Sequence, residues 1–186
     1  MPTYVTFLRA INLGAKRKFP KAAIIEAAEA AGFSDVQTHI NTGNVLVRTS
    51  LESREEVEAA LEKAFEADRG FEVPTIAFTP QEVCGIVADA EEITDGMDTD
   101  GMDTVGRHYV SLLKQEPPAD VRRAAEEAST DTERLVVRGR AVHLVLAARD
   151  SYHLATMSNA WVEKRLGVAT NRNLTVLRTI ADKWCR

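Results

Sequence analysis

The segment DVQTHINTGNVLVRT, residues 35–49, contains two β-forming runs joined by a turn signal. Residues 35–40 alternate in the manner of a strand, and residues 45–49 have the composition of a second strand. Between them lies Asn41-Thr42-Gly43-Asn44, whose asparagines and glycine tolerate the backbone conformations of tight turns. The segment therefore predicts two strands connected by a turn.

The residues before this segment predict a strand, a polar loop and a helix. Residues 3–9 are rich in β-forming side chains. Residues 21–31, KAAIIEAAEAA, have a helical composition, and Gly32 is placed to end the helix. The loop between the strand and the helix runs from Ala10 to Pro20.

The residues after the segment predict one more helix and one more strand. Ser53 and Glu56 have the spacing of a capping box, which opens a helix. Residues 72–78 predict a strand, in which Pro74 indicates a position at the edge of a sheet. The order β-α-β-β-α-β predicts an α+β fold of the ferredoxin-like (split βαβ) kind, with two helices over one face of an antiparallel sheet.

The second half of the chain predicts a related but incomplete arrangement. Its elements follow the order β-α-β-β-α-α, with residues 169–173 as a connection between the last two helices. We therefore expect two ferredoxin-like α/β sandwich subdomains, residues 1–78 and 107–186, the second ending in a C-terminal helix. Residues 79–106 are expected to form a bridging helix and then a mobile acidic loop, because residues 95–106 repeat a Gly-Met-Asp-Thr unit with little to bury.

The composition is typical of a soluble globular protein. Of the 186 residues, 45% are hydrophobic and 27% are charged, and the formal net charge is -5. A negative net charge disfavours general attraction to nucleic acid or to acidic membranes. The opening MPTYVTFLRA lacks the pattern of a secretion signal, and no stretch approaches the roughly 18 apolar residues of a membrane helix. We therefore expect a cytoplasmic protein that is not bound to a membrane.

The residue types that usually hold metals or cofactors show no recognisable spacing. Cys84 and Cys185 are far apart in the sequence and outside any metal-ligand motif, so two reduced thiols are expected. The four histidines have no spacing typical of a metal site. The sequence also lacks a phosphate-binding loop, a dinucleotide fingerprint and a nucleophile elbow. We predict no metal and no cofactor.

Polar side chains follow the first predicted strand and precede the third. In a β-α-β-β-α-β sheet these strands are antiparallel neighbours, so the end of one lies beside the start of the other. Arg9 and Asn12 should therefore lie near Thr42, Gly43 and Asn44. A guanidinium, amides, a hydroxyl and a glycine N–H around one volume suit a phosphate or a carboxylate. The alternative is an ordinary turn, with Arg9 paired to a surface acid.

Two further groups of residues would extend this site. Lys16, Arg17 and Lys18 would steer an anion toward it, or they form only a solvated loop. Thr170, Arg172 and Asn173 precede the last helix, where the positive end of the helix dipole favours an anion. The alternative for these three residues is an ordinary connection between two helices.

The quoted segments resemble the signature of a bacterial family, domain of unknown function 1697. That pattern reads leucine-arginine-glycine-isoleucine-asparagine-valine-glycine-glycine, then lysines, a helix and a glutamine-serine-glycine-asparagine turn. The corresponding residues here are Leu8-Arg9-Ala10-Ile11-Asn12-Leu13-Gly14-Ala15, then Lys16 and Lys18, then Asn41-Thr42-Gly43-Asn44. A second family pattern, alanine-threonine-threonine-arginine-asparagine-tryptophan-asparagine-threonine-valine, corresponds with departures to residues 169–176.

The resemblance implies a pair of ferredoxin-like subdomains and names no activity. It also groups the residues of the first loop and turn with Arg172 and Asn173. The departures are Ala10 and Ala15 in place of glycines, Asn41-Thr42 in place of glutamine-serine, and Leu174 in place of the tryptophan. A ligand contact made by that tryptophan would be lost or altered here.

The sequence leaves several functions open. A small anionic ligand bound by the first loop and the turn is the function we expect. An enzyme acting on a phosphorylated or acyl substrate is an alternative, with Arg9 and Arg172 stabilising developing charge. Nucleic-acid binding, which the negative net charge disfavours, and a self-associating scaffold are further alternatives. The ligand and the oligomeric state are not determined by the sequence.

Overall fold

The computed structural model describes residues 1–12, 14, 16–95, 108–147 and 152–185. Within them the chain divides into two compact units, Met1–Glu82 and Val83–Arg186. Each unit contains one four-stranded antiparallel sheet. The α+β class and the pair of ferredoxin-like subdomains predicted from the sequence are therefore confirmed.

The first unit has the predicted order β-α-β-β-α-β. Its elements are β1 (Thr3–Leu8), α1 (Lys21–Ala30), β2 (Ser34–His39), β3 (Asn44–Arg48), α2 (Arg54–Arg69) and β4 (Thr75–Phe78). The strands lie in the order β2-β3-β1-β4, so β1 and β3 are central neighbours. The position of β4 at an edge agrees with the prediction from Pro74.

The core of the first unit forms where α1 and α2 cover one face of this sheet. Tyr4 and Leu8 of β1 face it, and Phe65 of α2 packs edge to face on Phe19 at 5.1 Å between ring centres. Phe19 is fully buried, although it lies in the loop before α1. The end of that loop is therefore anchored by apolar contacts.

Two glutamates of α2 accept hydrogen bonds from backbone N–H groups at the outer edge of β4. The Oε1 atoms of Glu58 and Glu62 accept hydrogen bonds from the backbone N–H groups of Ala77 and Thr75, both at 2.8 Å. Glu58 is almost completely buried. An edge strand whose N–H groups already have acceptors is a poor template for another strand.

The second unit repeats this order and is preceded by a helix. Its elements are α3 (Pro80–Asp95), which starts in the first unit, and then β5 (His108–Leu113), α4 (Ala119–Glu126), β6 (Glu133–Arg138), β7 (Ala141–Leu146), a short 3-10 turn (Tyr152–Leu154), α5 (Asn159–Leu166), β8 (Ala169–Asn173) and α6 (Leu174–Trp184). The strands lie in the order β6-β7-β5-β8. Thr79 and Glu82 form a capping box at the start of α3.

The prediction of a helix-to-helix connection at residues 169–173 is wrong. This segment is β8, which pairs antiparallel with β5 from Ala169 opposite Leu113 to Asn173 opposite Tyr109. The sequence ATNRN has little strand propensity, so its conformation follows from pairing with a buried neighbour. The eighth strand completes the second split βαβ arrangement, which the sequence had left incomplete.

The last two helices of the second unit begin differently. Ser158 occupies the position before α5 but makes no side-chain capping hydrogen bond, whereas Asn173 does cap α6. The acidic segment 95–106, predicted to be a mobile loop, lies outside the described residues apart from Asp95. The assignment of 79–106 as a bridging segment therefore stays a prediction.

No described helix has the length and apolar character needed to span a membrane.

Candidate functional site

The pairing of β1 with β3 brings the first loop to the turn. The backbone N–H of Leu8 donates to the carbonyl of Gly43 at 2.7 Å, and Phe7 lies opposite Asn44 in the sheet. The exit of β1 therefore lies beside the start of β3, as the topology predicted. The loop that follows Leu8 therefore begins next to the turn.

Asn12 ties the loop to the turn. Its Nδ2 donates to the carbonyl of Asn41 at 2.7 Å and to that of Phe19 at 3.2 Å, and its Oδ1 accepts from the N–H of Phe19 at 2.9 Å. Its backbone is left-handed, with φ at 55°. The side chain therefore has a structural role that the sequence pattern does not reveal.

Asn44 has a similar structural role inside the turn. It is fully buried, and its Nδ2 donates to the carbonyl of His39 and to Oγ1 of Thr42, both at 3.0 Å. Both amide hydrogens of Asn44 thus have acceptors within the protein. This geometry supports the turn interpretation of Asn44 and Thr42 more than direct contact with a ligand.

Position 43 requires glycine because there is no room for a side chain and because the backbone is left-handed. Its φ is 78°, and a Cβ atom added there would lie 2.7 Å from Cβ of Leu8 and 2.9 Å from Cδ1 of Ile11. Real Cβ atoms do not approach side chains so closely. The turn can therefore lie against the end of β1 only with glycine at this position.

The cationic residues of the loop separate into two groups. Arg17 donates from Nε to the carbonyl of Ala10 at 2.6 Å and from Nη2 to that of Glu72 at 2.5 Å. Its guanidinium also lies 4.7 Å from the ring centre of Phe71. Lys16 and Lys18, by contrast, are exposed. Arg17 therefore holds the loop in place, whereas the two lysines face solvent.

Arg9 lies at the point where the chain leaves β1. Its backbone N–H donates to the carbonyl of Pro74 at 2.8 Å, and the residue is half-buried. Its role in ligand binding stays a prediction.

A depression of about 550 Å³ lies between the loop and α1. Its lining residues come from the loop, the start of α1 and the turn: Asn12, Gly14, Lys18, Pro20, Lys21, Ala22 and Asn41. We call it the loop depression. Lys18 and Lys21 are both exposed there. It contains two residues that were predicted for the site, Asn12 and Lys18.

The N-terminus of α1 opens onto the loop depression without a side-chain cap. Pro20 occupies the capping position and has no group that accepts from the helix, and the first turn contains no acidic residue. In α2, by contrast, the Ser53 hydroxyl accepts from the N–H of Glu56. The first N–H groups of a helix have no partner within that helix, and they carry a partial positive charge. Lys21 was not predicted from the sequence, although the missing cap before it was an available signal.

The second predicted group lies in the other unit, on β8 and at the start of α6. Nη1 of Arg172 donates to Oγ1 of Thr170 at 3.0 Å and to the carbonyl of Asn171 at 2.7 Å. Burial lowers the pKa of Arg172 to about 10. Asn173 accepts from the N–H of Val176 at 2.9 Å as the cap of α6. These bonds are internal to the second unit, so a ligand role for the three predicted residues stays a prediction.

Two histidines of the second unit form a buried pair. Nε2 of His108 lies 3.0 Å from Nδ1 of His143, and both side chains are fully buried. Burial lowers the pKa of His108 to about 4 and that of His143 to about 3. Among the described residues, no group of three or more histidine, cysteine, aspartate or glutamate side chains is arranged to hold a metal.

A larger groove of about 730 Å³ runs between α1 and α2. Alanines form most of its lining, with Glu26, Lys63 and Asp68 as its charged members. It is larger than the loop depression, but its charged lining residues are two carboxylates and one ammonium group. The loop depression is therefore the better candidate for an anion site.

Comparison with known proteins gives a family and a fold. The model of a family described as "Protein of unknown function (DUF1697)" matches residues 1–143. The solved structure of a conserved bacterial protein from Streptococcus pneumoniae is similar, with a TM-score of 0.72 and 18% sequence identity, over 100% of this chain and 99% of that one. At this identity the likeness shows the fold alone. The curated proteins contain no match.

Proposed function

The chain belongs to the DUF1697 family of proteins of unknown function, and from that premise we propose that it binds a small anion at the loop depression. The ligand carries a phosphate or a carboxylate group. The binding groups are the N-terminal N–H groups of α1 and the ammonium groups of Lys18 and Lys21.

One observation carries this proposal: the uncapped N-terminus of α1 lies in a depression lined by two exposed lysines. Orphan N–H groups and the helix dipole favour a negative group at such a terminus. The two lysines add full positive charges to that partial charge. Phosphate and carboxylate oxygens satisfy both kinds of donor at once.

The predicted site residues take different parts in this proposal. Asn12 builds the wall by joining the loop to the turn, and Gly43 and Asn44 shape that turn. Lys18 contacts the anion, and Lys16, which is exposed nearby in the loop, steers it. Arg9 supports the edge of the loop depression from its position directly after β1.

The residues of the loop depression favour binding over a reaction. None of its lining residues in the described part of the chain is a carboxylate, a histidine, a serine or a cysteine. General acid–base and nucleophilic catalysis most often use these side chains. We therefore propose a binding function for this site.

A thermal-shift screen tests the proposal. Inorganic phosphate, sugar phosphates, nucleotides and small carboxylates would be added to the wild-type protein and to a Lys18→Gln/Lys21→Gln variant. A ligand that binds only the folded state raises the melting temperature by mass action. We expect at least one anion to stabilise the wild type by several degrees and to have little effect on the variant.

A Lys63→Gln/Lys164→Gln variant is the matched control. It removes the same charge from two exposed helical lysines that lie outside the loop depression. It should retain the wild-type response. An equal loss in both double variants would indicate a general charge effect, and the absence of any shift in the wild type would refute the proposal.

A further inference from the structure

The two cysteines of the chain lie 101 positions apart in the sequence and meet in the second unit. Sγ of Cys84 lies 3.7 Å from the carbonyl oxygen of Cys185, and the neighbouring Cys84 contributes to the raised pKa of Cys185. The sequence predicted two separate reduced thiols, because separation along the chain gives no measure of separation in space. Their proximity raises the question of what they do together.

The elements that carry the cysteines are held against the rest of the unit. Cys84 lies in the second turn of α3 next to the buried Val83, and Cys185 directly follows α6. The N–H of Cys185 still donates to the carbonyl of Ala181 at 3.0 Å, which fixes its backbone to the helix end. An ion pair of 3.4 Å joins Arg178 of α6 to Glu91 of α3. The two cysteines therefore belong to two anchored helices, with Cys185 directly after the end of α6.

We propose that Cys84 and Cys185 form a reversible intramolecular disulfide that ties the end of α6 to α3. The bond requires the sulfurs to approach to about 2.05 Å. Side-chain rotations can contribute to this approach, because Sγ of Cys84 already lies 3.7 Å from the main chain of Cys185. Cys84 and Cys185 are free cysteines in the structure.

The oxidant in this proposal is a small disulfide of the glutathione type. The exposed Cys84 reacts first: its thiolate attacks one sulfur of the oxidant, and the first small thiol leaves. The half-buried Cys185 then loses its proton and attacks Sγ of Cys84, which expels the second small thiol. Two protein thiols are thereby oxidised to one disulfide, and one small disulfide is reduced to two thiols.

The order of attack follows from the surroundings of the two thiols. Burial is the main cause that raises the pKa of Cys185 to about 12, and the neighbouring Cys84 acts in the same direction. Only the thiolate is nucleophilic, so little of Cys185 is reactive at neutral pH. Closure of the disulfide should therefore be slower than the first attack, and it should accelerate as the pH rises.

Oxidation with glutathione disulfide tests the proposal. The wild type, Cys84→Ser and Cys185→Ser would be incubated in glutathione buffers of graded ratio at pH 7 and pH 8.5. Intact mass, measured after quenching with an alkylating agent, reports the state of each thiol. Because the chain has two cysteines, an unalkylated monomer without a glutathione adduct contains only the proposed disulfide.

We expect the wild type to pass through a single glutathione adduct to this monomer, faster at pH 8.5, and to return to two alkylated thiols with dithiothreitol. Cys185→Ser should keep its adduct, because it lacks the thiol that displaces glutathione. Closing a ring of about 100 residues should also raise the melting temperature by roughly 5–15 °C. Both serine variants should lack this increase.

Three outcomes would overturn the proposal. One is a wild type that accumulates a double adduct, and another is one that forms only disulfide-linked dimers on a non-reducing gel. The third is a wild type that keeps both thiols alkylatable in excess glutathione disulfide while retaining its circular dichroism spectrum. The serine substitutions serve only as comparisons, so misfolding of a variant would leave these wild-type results decisive.

Discussion

The side-chain amide of Asn12 donates to the main-chain carbonyl of Asn41 at 2.7 Å, and this bond joins the loop after β1 to the turn before β3. Asn12 and Asn41 are also two of the residues that line the loop depression. The bond therefore sets the shape of the candidate site while taking no part in the chemistry of the ligand.

Replacing Asn12 should cost stability through two separable effects. Asn12→Gly removes the three side-chain hydrogen bonds but permits the left-handed backbone, whereas Asn12→Ala also strains it. We expect a loss of about 1–3 kcal/mol for the glycine variant. The alanine variant should lose about 1 kcal/mol more. Urea unfolding measures both, and equal stability of Asn12→Gly and the wild type would contradict the structural role.

Alanine at Gly43 should be more damaging than alanine at another left-handed glycine. Gly70, which ends α2, has a φ of 72° and no atom within 4 Å of an added Cβ, whereas Gly43 has Leu8 and Ile11 in the way. We expect Gly70→Ala to cost about 1–2 kcal/mol. Gly43→Ala should cost about 1–3 kcal/mol more, because packed side chains must move. Chemical unfolding of the two variants side by side gives the difference, and equal losses would show that steric crowding is not a factor.

Acid should destabilise the second unit through the buried histidine pair. Unfolded histidine takes up its proton near pH 6.5, whereas burial lowers the pKa to about 4 for His108 and about 3 for His143. Arg178 of α6 and Arg138 of β6 act in the same direction as burial. Between pH 6.5 and about 4 the unfolded state binds more protons, so stability falls as the pH falls, by up to about 1.4 kcal/mol per pH unit for each histidine.

Urea unfolding at pH 7.5 and pH 5 measures this dependence. A His143→Gln variant should lose less stability on acidification than the wild type, because one of the two depressed groups is absent. His153 is exposed and provides the matched control, so His153→Gln should behave like the wild type. If His143→Gln and His153→Gln lose stability equally on acidification, the pair is not responsible.

Removing Glu58 should loosen the edge of the first sheet. Its carboxylate accepts from the N–H of Ala77 at 2.8 Å while almost completely buried. We expect Glu58→Ala to lose about 1–3 kcal/mol, because this donor loses its acceptor in an apolar setting. Glu66→Ala, an exposed change on the same helix, should be close to neutral. Unfolding in urea compares the two.

Sedimentation of the same variants tests whether Glu58 prevents β4 from pairing with a strand of another molecule. A β4 strand with an unsatisfied N–H is a better template for intermolecular pairing. Glu58→Ala should therefore self-associate more than Glu66→Ala at equal concentration. Identical sedimentation of folded samples would argue that the glutamate acts only on stability.

The first unit was predictable because its pattern and its turn signals agree along the chain. Strand composition, the capping box at Ser53 and the turn at residues 41–44 all indicated one topology. The same information failed at residues 169–173, where pairing with β5 overrides the weak local propensity of ATNRN. The proximity of Cys84 to Cys185 could not be predicted for a related reason, since it depends on how two helices that are distant in the sequence pack.

The candidate site was only partly predictable. Topology correctly brought Asn12 to the turn, but an asparagine that holds a turn and one that holds an anion have the same sequence pattern. The hydrogen bonds of Asn12 and Asn44 show the structural use. The start of α1 was overlooked because a missing cap is an absence in the sequence, and it becomes informative only when Lys18 and Lys21 are seen to line the same depression.

A two-dimensional ¹H–¹⁵N NMR titration with inorganic phosphate tests the central claim most directly, with chloride at equal ionic strength as the reference. We predict saturable shifts of the amide signals of Gly14 and residues 21–23, and their loss in Lys18→Gln/Lys21→Gln. The capped N-terminus of α2, at residues 54–56, should remain unaffected. If phosphate and a small carboxylate such as acetate both give no saturable shift at residues 21–23, or give one only at residues 170–173, the proposed anion site is contradicted.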